Sequence, residues 1–456
     1  MSTRKIVIKG GTVLTFQNDR LVCDKLDILV DKDTITCIEK EIEVSSDMEV
    51  ISAEGMIVSP GLIDTHRHLW ESAFKGTASN WTLMEYLNGM LGGIAPKMSP
   101  LDVYLGNLLG ALEALNAGIT TIFDWSHIMN SDEHAEAAIK GLRDSGIRAK
   151  FGYGTPGTSV WEWFYESKKP HPVNAYDIKK NYFSAEDDLV TMALAIRGPE
   201  YSELEVAKQD ILMGRDLGIQ ISMHIGGGSF GPKYKGVQKL DQLGLLGPDL
   251  NFAHGNTLND HDFKLLADHG CSLSITPEME LQMGLGLPAT GKALKHNIIC
   301  SLGADMVAGT SGNLFDQMKT ALQAERAIQN ERHFQKGEMS EQLAIQDLDI
   351  FKMATMGGAK TLGLENKIGS LEVGKQADII LVDSHKLGIS PIHNTVSAMV
   401  LYAKEHDVDT VVIAGNVVKK NGKLVYQTTD ELILECQNSA AVIMKQLNPE
   451  TESKMT

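Results

Sequence analysis

Two histidines one residue apart close an apolar run, Pro60-Gly61-Leu62-Ile63-Asp64-Thr65-His66-Arg67-His68. In an extended strand alternate side chains share a face, so Leu62, Asp64, His66 and His68 point one way and both imidazoles can reach one metal ion. Alone the pair is weak evidence, since 14 His in 456 residues give about 0.4 such pairs by chance. Three later strand-like runs supply partners. Gln220-Ile221-Ser222-Met223-His224 alternates polar and apolar residues, and Leu250-Asn251-Phe252-Ala253-His254-Gly255 ends in a His followed by glycine. Ile298-Ile299-Cys300-Ser301-Leu302-Gly303-Ala304-Asp305 ends in a carboxylate. Two His from one strand, a His from another and an Asp from a third make a nitrogen and oxygen site. Such a site suits Zn²⁺ or Fe²⁺ and leaves a position for water. A bound divalent ion lowers the pKa of that water from 15.7 to about 7, so the expected chemistry is hydrolysis by metal-bound hydroxide. Asp305, a carboxylate beside that hydroxide, is a natural acceptor for its proton.

These stretches, together with Ile368-Gly369-Ser370-Leu371-Glu372-Val373-Gly374-Lys375-Gln376-Ala377-Asp378 near the C-terminus, resemble the amidohydrolase superfamily. The branch is the one with cytosine deaminase, guanine deaminase and the s-triazine hydrolases, and the resemblance spans nearly the whole chain. It implies that His66, His68, His224 and Asp305 hold the metal, while His254 sits beside the hydroxide and polarises the substrate. It also brings out two departures. Related deaminases carry a proton-shuttling glutamate three residues after the strand-five histidine, where this chain has Gly227. At strand seven relatives tend to have Asn-Pro-x-Ser-Asn, and this chain has Thr276-Pro277-Glu278-Met279-Glu280. Glu278 is the expected replacement for the missing shuttle, with Glu280 next.

To bring these residues together the chain needs a scaffold that gathers strand ends. Its middle alternates strands with helices, the pattern of parallel βα units, and 456 residues accommodate an eight-stranded (β/α)8 barrel plus a smaller unit. Both termini are rich in strand signals: Ile6–Lys9 and Thr12–Thr15 around a Gly10-Gly11 turn, Leu26–Val30, Ala377–Val382, Val408–Ile413 and an Asn421-Gly422 hairpin. The expectation is an α/β fold in three segments, with 1–58 and 369–456 forming a composite β-sandwich and 59–368 the barrel. The last segment also holds a terminal helix and a polar tail from Asn448. One helix reads residue by residue: Ser99 as N-cap, Pro100 at its first position, and Leu101, Leu105, Leu108, Leu109, Leu112 and Leu115 on one face before Gly118.

In such a barrel the chemistry sits at the C-terminal strand ends, where His66, His68, Asp124, Arg197, His224, His254, Glu278 and Asp305 all fall. Strand four, Val190–Arg197, has no lysine to carbamylate, so one metal is expected, zinc before iron. Arg197, Trp70, Asp124, Trp125 and Glu280 are the expected substrate contacts, and His127 is a candidate for the pocket wall.

Apolar residues at 43%, charged residues at 22% and a net charge of −17 mark a soluble globular chain and argue against nucleic acid as a partner. Five scattered cysteines read as reduced thiols in a cytoplasmic protein, and the absence of an 18-residue apolar run argues against a membrane span. The expected function is an aminohydrolase that deaminates a small nitrogen heterocycle. The alternatives are hydrolysis of cyclic amides or of halogenated or alkylamino rings, and a non-catalytic scaffold. A homodimer is the habit of the family.

Overall fold

The first strand bends in the middle, and that bend organises the terminal sheet. The protein is described from a computed structural model over residues 5–17, 19–184 and 188–447; the tail from Asn448 lies outside them. Strand β1 (Lys5–Gln17) runs unbroken through Gly10 and Gly11, where the sequence suggested a turn. A register shift between Ile8 and Gly11 marks a β-bulge instead. Gly10 sits at φ +79°, and a Cβ on Gly11 would lie 2.4 Å from Val58 Cγ2, so both glycines serve the bend. The antiparallel strands β2 (Arg20–Asp31) and β3 (Thr34–Glu39) extend the sheet from one side of β1. On its other side, β4 (Met48–Ser52) pairs with the first half of β1 and β5 (Met56–Pro60) with the second.

The chain then enters eight consecutive strands, each parallel to the next: β6 (Leu62–Arg67), β7 (Ile119–Ser126), β8 (Arg148–Tyr153), β9 (Val190–Ile196), β10 (Ile221–Ile225), β11 (Leu250–His254), β12 (Ser272–Ile275) and β13 (Ile299–Leu302). Every residue of β6 and β7 is buried, as expected of a parallel sheet covered on both faces. Two backbone hydrogen bonds at the upper rim tie the ends: His68 N–H donates to Asp305 O (3.0 Å) and Asp305 N–H to His66 O (2.9 Å). A Cβ on Gly303 would lie 2.7 Å from His66 O, so this close approach of strand eight to strand one requires glycine. Below the rim, Thr65 Oγ1 and Ser301 Oγ share a hydrogen bond of 2.6 Å and Asn251 Nδ2 donates to Ser274 Oγ (2.9 Å), filling the interior with paired polar groups.

After the barrel, β14 (Ile379–Asp383), β15 (Val408–Ile413), β16 (Asn416–Lys420) and β17 (Lys423–Leu424) complete a nine-stranded sheet whose β14 pairs with β5. The β16–β17 turn is Asn421-Gly422, both at positive φ. Ile6, Ile8, Val13, Ile28, Val30 and Ile379 pack its separate apolar core. A bidentate ion pair fastens this sheet to the barrel: Arg148 Nε and Nη2 each donate to Asp378 at 2.8 Å, and Ala414 N–H donates to the same carboxylate. The helix Pro100–Asn116 has the expected Ser99 cap, closed by Asp102. Leu105, Leu108, Leu112 and Leu115 are buried along it, while Leu101 in its first turn is 62% exposed and Leu109 is only partly buried. Among the described residues no helix is long and apolar enough to cross a membrane.

Candidate active site

His66, His224 and His254 reach the upper rim within β6, β10 and β11, while His68 follows β6 by one residue and Asp305 follows β13 by three. The His66 ring lies 5.0 Å from that of His68, 4.9 Å from His224 and 5.4 Å from His254. Asp305 Oδ1 is 3.6 Å from His66 Nε2 and 3.3 Å from His68 Nε2, and its Oδ2 is 3.9 Å from His254 Nε2. The rim closure described above sets this spacing, because the backbone bonds that join the first and last strands run through His66, His68 and Asp305 themselves. His254 and Asp305 both hold left-handed backbone, at φ +81° and +61°. That conformation costs of the order of 1–3 kcal/mol per non-glycine residue and re-aims each side chain as its strand ends.

The donor set fits a divalent cation. The ligand atoms of His66, His68 and Asp305 lie within 4.8 Å of one another, as do those of His66, His224 and His254. Neither ring nitrogen of His66, which is fully buried, has a hydrogen-bond partner among the described residues. Unsatisfied buried nitrogens are costly, and coordination to a cation would satisfy one of them. His68 Nδ1–H donates to Trp125 O (2.7 Å), which leaves the Nε2 lone pair facing the cluster, the usual support for an imidazole ligand. Burial pushes His66 down to about 4 although Asp305 opposes it, and burial holds His224 well below the usual imidazole value. Burial would lower His68 too, but its contact with Asp305 and the charge of Glu71 raise it to about 9. Burial would raise the Asp305 carboxyl, yet His66 and His68 keep it well below the usual range.

A cavity enclosing about 580 Å³, its mouth included, opens onto the cluster. His68, His127, His224, His254 and Asp305 form its floor, with Tyr86, Tyr201 and Gly227 also lining it. His127 stacks on His68 at 4.2 Å. Trp70 Nε1–H donates to His127 Nδ1 (3.0 Å), so His127 carries its proton on Nε2 and donates to Tyr86 Oη (3.0 Å), whose hydroxyl donates to Glu71 Oε1 (2.7 Å).

Glu280 and Glu278 sit differently. Glu280, fully buried, has Oε1 3.5 Å from His254 Nδ1 and accepts from Thr276 N–H (2.8 Å). The Glu278 carboxylate is engaged by Ser311 Oγ (2.7 Å) and Gln317 Nε2 (3.0 Å), and the residue does not line the cavity. Nor do Arg197, Trp70, Asp124, Trp125 and Glu280, which the sequence offered as substrate contacts. Arg197 is fully buried against Asp210 (3.1 Å) and Ser167, because a guanidinium at that depth needs a carboxylate partner. Asp124 accepts from Leu69 N–H and Asn107, fixing the turn that follows His68. Trp125 packs 4.4 Å from the His224 ring, and Trp70 orients His127. Sequence reasoning passed over Tyr86, Tyr201 and Glu71. The available signal for Glu71 was a carboxylate three residues past His68 in an apolar run.

The amidohydrolase family model matches residues 57–418. The chain is 26% identical to a 5'-deoxyadenosine deaminase of Methanobrevibacter smithii, covering 95% of this chain and 96% of that one. It is 29% identical to a 5-methylthioadenosine/S-adenosylhomocysteine deaminase of Thermococcus onnurineus, covering 92% and 95%. Among solved structures, a zinc-bound adenosine deaminase of Xanthomonas campestris superposes with a TM-score of 0.84 at 21% identity, covering 96% and 98%. The zinc complex of an atrazine chlorohydrolase of Arthrobacter aurescens does so at 0.81 with 24% identity, covering 96% and 100%. With a matching model over most of its length and a barrel rim that gathers the expected histidines and aspartate, the chain belongs to the amidohydrolase family.

Proposed function

We propose that the protein is a metal-dependent hydrolase of carbon–nitrogen bonds that deaminates a small nitrogen heterocycle. The observation that carries this reading is the convergence of His66, His68, His224 and Asp305 beneath one cavity, with both His66 nitrogens otherwise unpartnered. These four residues would hold one zinc ion, the metal named for structures of the same fold. A divalent ion held there supplies an activated water by lowering its pKa toward about 7.

The remaining work falls to the chain's own groups. Asp305 is the sole carboxylate lining the cavity among the described residues, so its Oδ2 both takes the proton of the attacking water and returns it to the leaving nitrogen. Thr276 Oγ1 stands 3.3 Å from that oxygen and orients it. His254 lines the same floor and faces the charge that develops on the attacked ring, with the Glu280 carboxylate 3.5 Å behind its Nδ1. The deaminase names of the relatives support loss of ammonia. Gly227 favours a second reading, a better leaving group or an activated cyclic amide, because it puts no acid beside His224.

The test is the zinc-loaded enzyme against purines, pterins, pyrimidines, triazines and cyclic imides, with ammonia and product mass followed in parallel and Asp305→Asn as blank. Ammonia released in step with product supports deamination, and product without ammonia supports the second reading. Full-chain protein that takes up no stoichiometric metal would overturn both.

A further inference from the structure

We propose that the cavity selects an uncharged, sugar-free ring bearing an apolar substituent, and that the Tyr201 hydroxyl is the polar group that orients it. The proposal rests on the hydrolase reading above and names its substrate class. Beyond the floor, the walls are Leu83, Leu87, Leu91, Phe164, Met283 and Leu285. They arrive from separate places, the helical segment after β6, the loop after β8 and the loop after β12, so the apolar surface wraps the substrate from several sides. No lysine, arginine, asparagine, glutamine, serine or threonine lines the cavity among the described residues, and Asp305 is the single acid.

The polar groups that do line it are mostly committed. His127 and Tyr86 are bonded to each other and to Trp70 and Glu71, and His254 Nδ1 is bonded to Thr276 Oγ1 at 3.1 Å. Tyr201 differs. It follows β9, is 8% exposed, packs its ring against Phe164 (5.8 Å) and Phe230 (5.2 Å), and its hydroxyl has no hydrogen-bond partner among the described residues. Because Tyr201 lines the cavity and its hydroxyl makes no bond within the described residues, the phenol is free to donate to a ring nitrogen or carbonyl of the substrate. Gly227 adds a recess beside His224: a Cβ built there meets only Leu285 Cδ2 at 3.8 Å, so the space accepts an apolar group from the substrate.

A ribose placed against these walls would bring several hydroxyls to a lining whose one uncommitted hydroxyl is that of Tyr201, and an amino-acid tail would bring charges with no counter-ion. Both are penalised by desolvation without compensation. The selectivity therefore departs from the nucleosides named for the relatives.

The experiment uses the zinc-loaded full chain and matched pairs with one reacting ring: a propyl-substituted aminopurine against its riboside, and an ethylamino-triazine against its hydroxyethylamino counterpart. Turnover gives kcat/KM, and calorimetry gives Kd for any pair that is not turned over. The alkyl member should be favoured about ten- to a hundredfold per added hydroxyl. Leu83→Gln should narrow that ratio to within about threefold, and Tyr201→Phe should lower kcat/KM about tenfold for both members without altering the ratio, Tm or zinc content. Equal or better use of the riboside would overturn the proposal while leaving the hydrolase reading in place. Alkyl-selective binding with no turnover of any ring would do the reverse. A Tyr201→Phe enzyme at wild-type efficiency, or no binding of either member, would also overturn it.

Discussion

Changing Glu280 to glutamine separates the two glutamates that follow strand seven. Glu280 is buried with Oε1 3.5 Å from His254 Nδ1, and it accepts from the N–H of Thr276 (2.8 Å). Glutamine keeps an oxygen for the Thr276 N–H, so the substitution removes charge and leaves shape. Two unit charges at that separation interact by ~4.7 kcal/mol at an effective dielectric of about 20. An imidazole that takes up about half a charge while polarising the substrate would retain about half of this, ~2.4 kcal/mol, or roughly sixtyfold in kcat. Glu278→Gln makes the same chemical change on a carboxylate held by Ser311 and Gln317 outside the cavity, and its expected effect is within about threefold. The assay is kcat at saturating substrate for both variants beside wild type, with zinc content measured by mass spectrometry on the same preparations. Wild-type turnover in Glu280→Gln would refute the electrostatic argument. A hundredfold loss in fully metallated Glu278→Gln would make Glu278 the proton donor despite its distance from the floor.

Three other perturbations probe the frame. Asp378→Ala strands the buried Arg148 guanidinium between barrel and terminal sheet and should cost about 3–5 kcal/mol, seen as a lowered Tm by calorimetry; an unchanged Tm would mean that the pair carries no net stability. Burial raises the Glu200 carboxyl to about 8 against the opposing hydrogen bond from Gly226 N–H. Between its ordinary value and about 8 the folded chain keeps a proton that the unfolded chain releases, so stability falls as pH rises through that window. Glu200→Gln removes the dependence, and its gain in Tm over wild type should be larger near pH 8 than near pH 5; an equal gain at both would contradict the assignment. Gly303→Ala would place a Cβ 2.7 Å from His66 O, and zinc titration should show at least a tenfold loss of affinity because strands one and eight must separate.

The metal-type cluster was legible because its information is local. His66 and His68 share a face by strand periodicity, and His224, His254 and Asp305 each close an apolar run, so a fold that gathers strand ends brings them together. The same locality misjudged Gly10-Gly11: two glycines signal a turn, but pairing with both β4 and β5 keeps β1 continuous and turns them into a bulge. Arg197 follows β9 by one residue and Glu278 follows β12 by three, yet Asp210 and Ser311 engage them and neither lines the cavity. The walls were illegible for a different reason. Leu83, Leu87 and Leu91 carry the spacing of any core-facing helix, and whether that face meets packed protein or a substrate depends on what the opposite wall brings. In this chain the opposite wall brings Tyr201, Met283 and Leu285, and the absence of a side chain at Gly227 leaves the gap between them open. Reactivity is thus encoded in residues readable one strand at a time, and selectivity in the meeting of segments up to 202 positions apart, from Leu83 to Leu285.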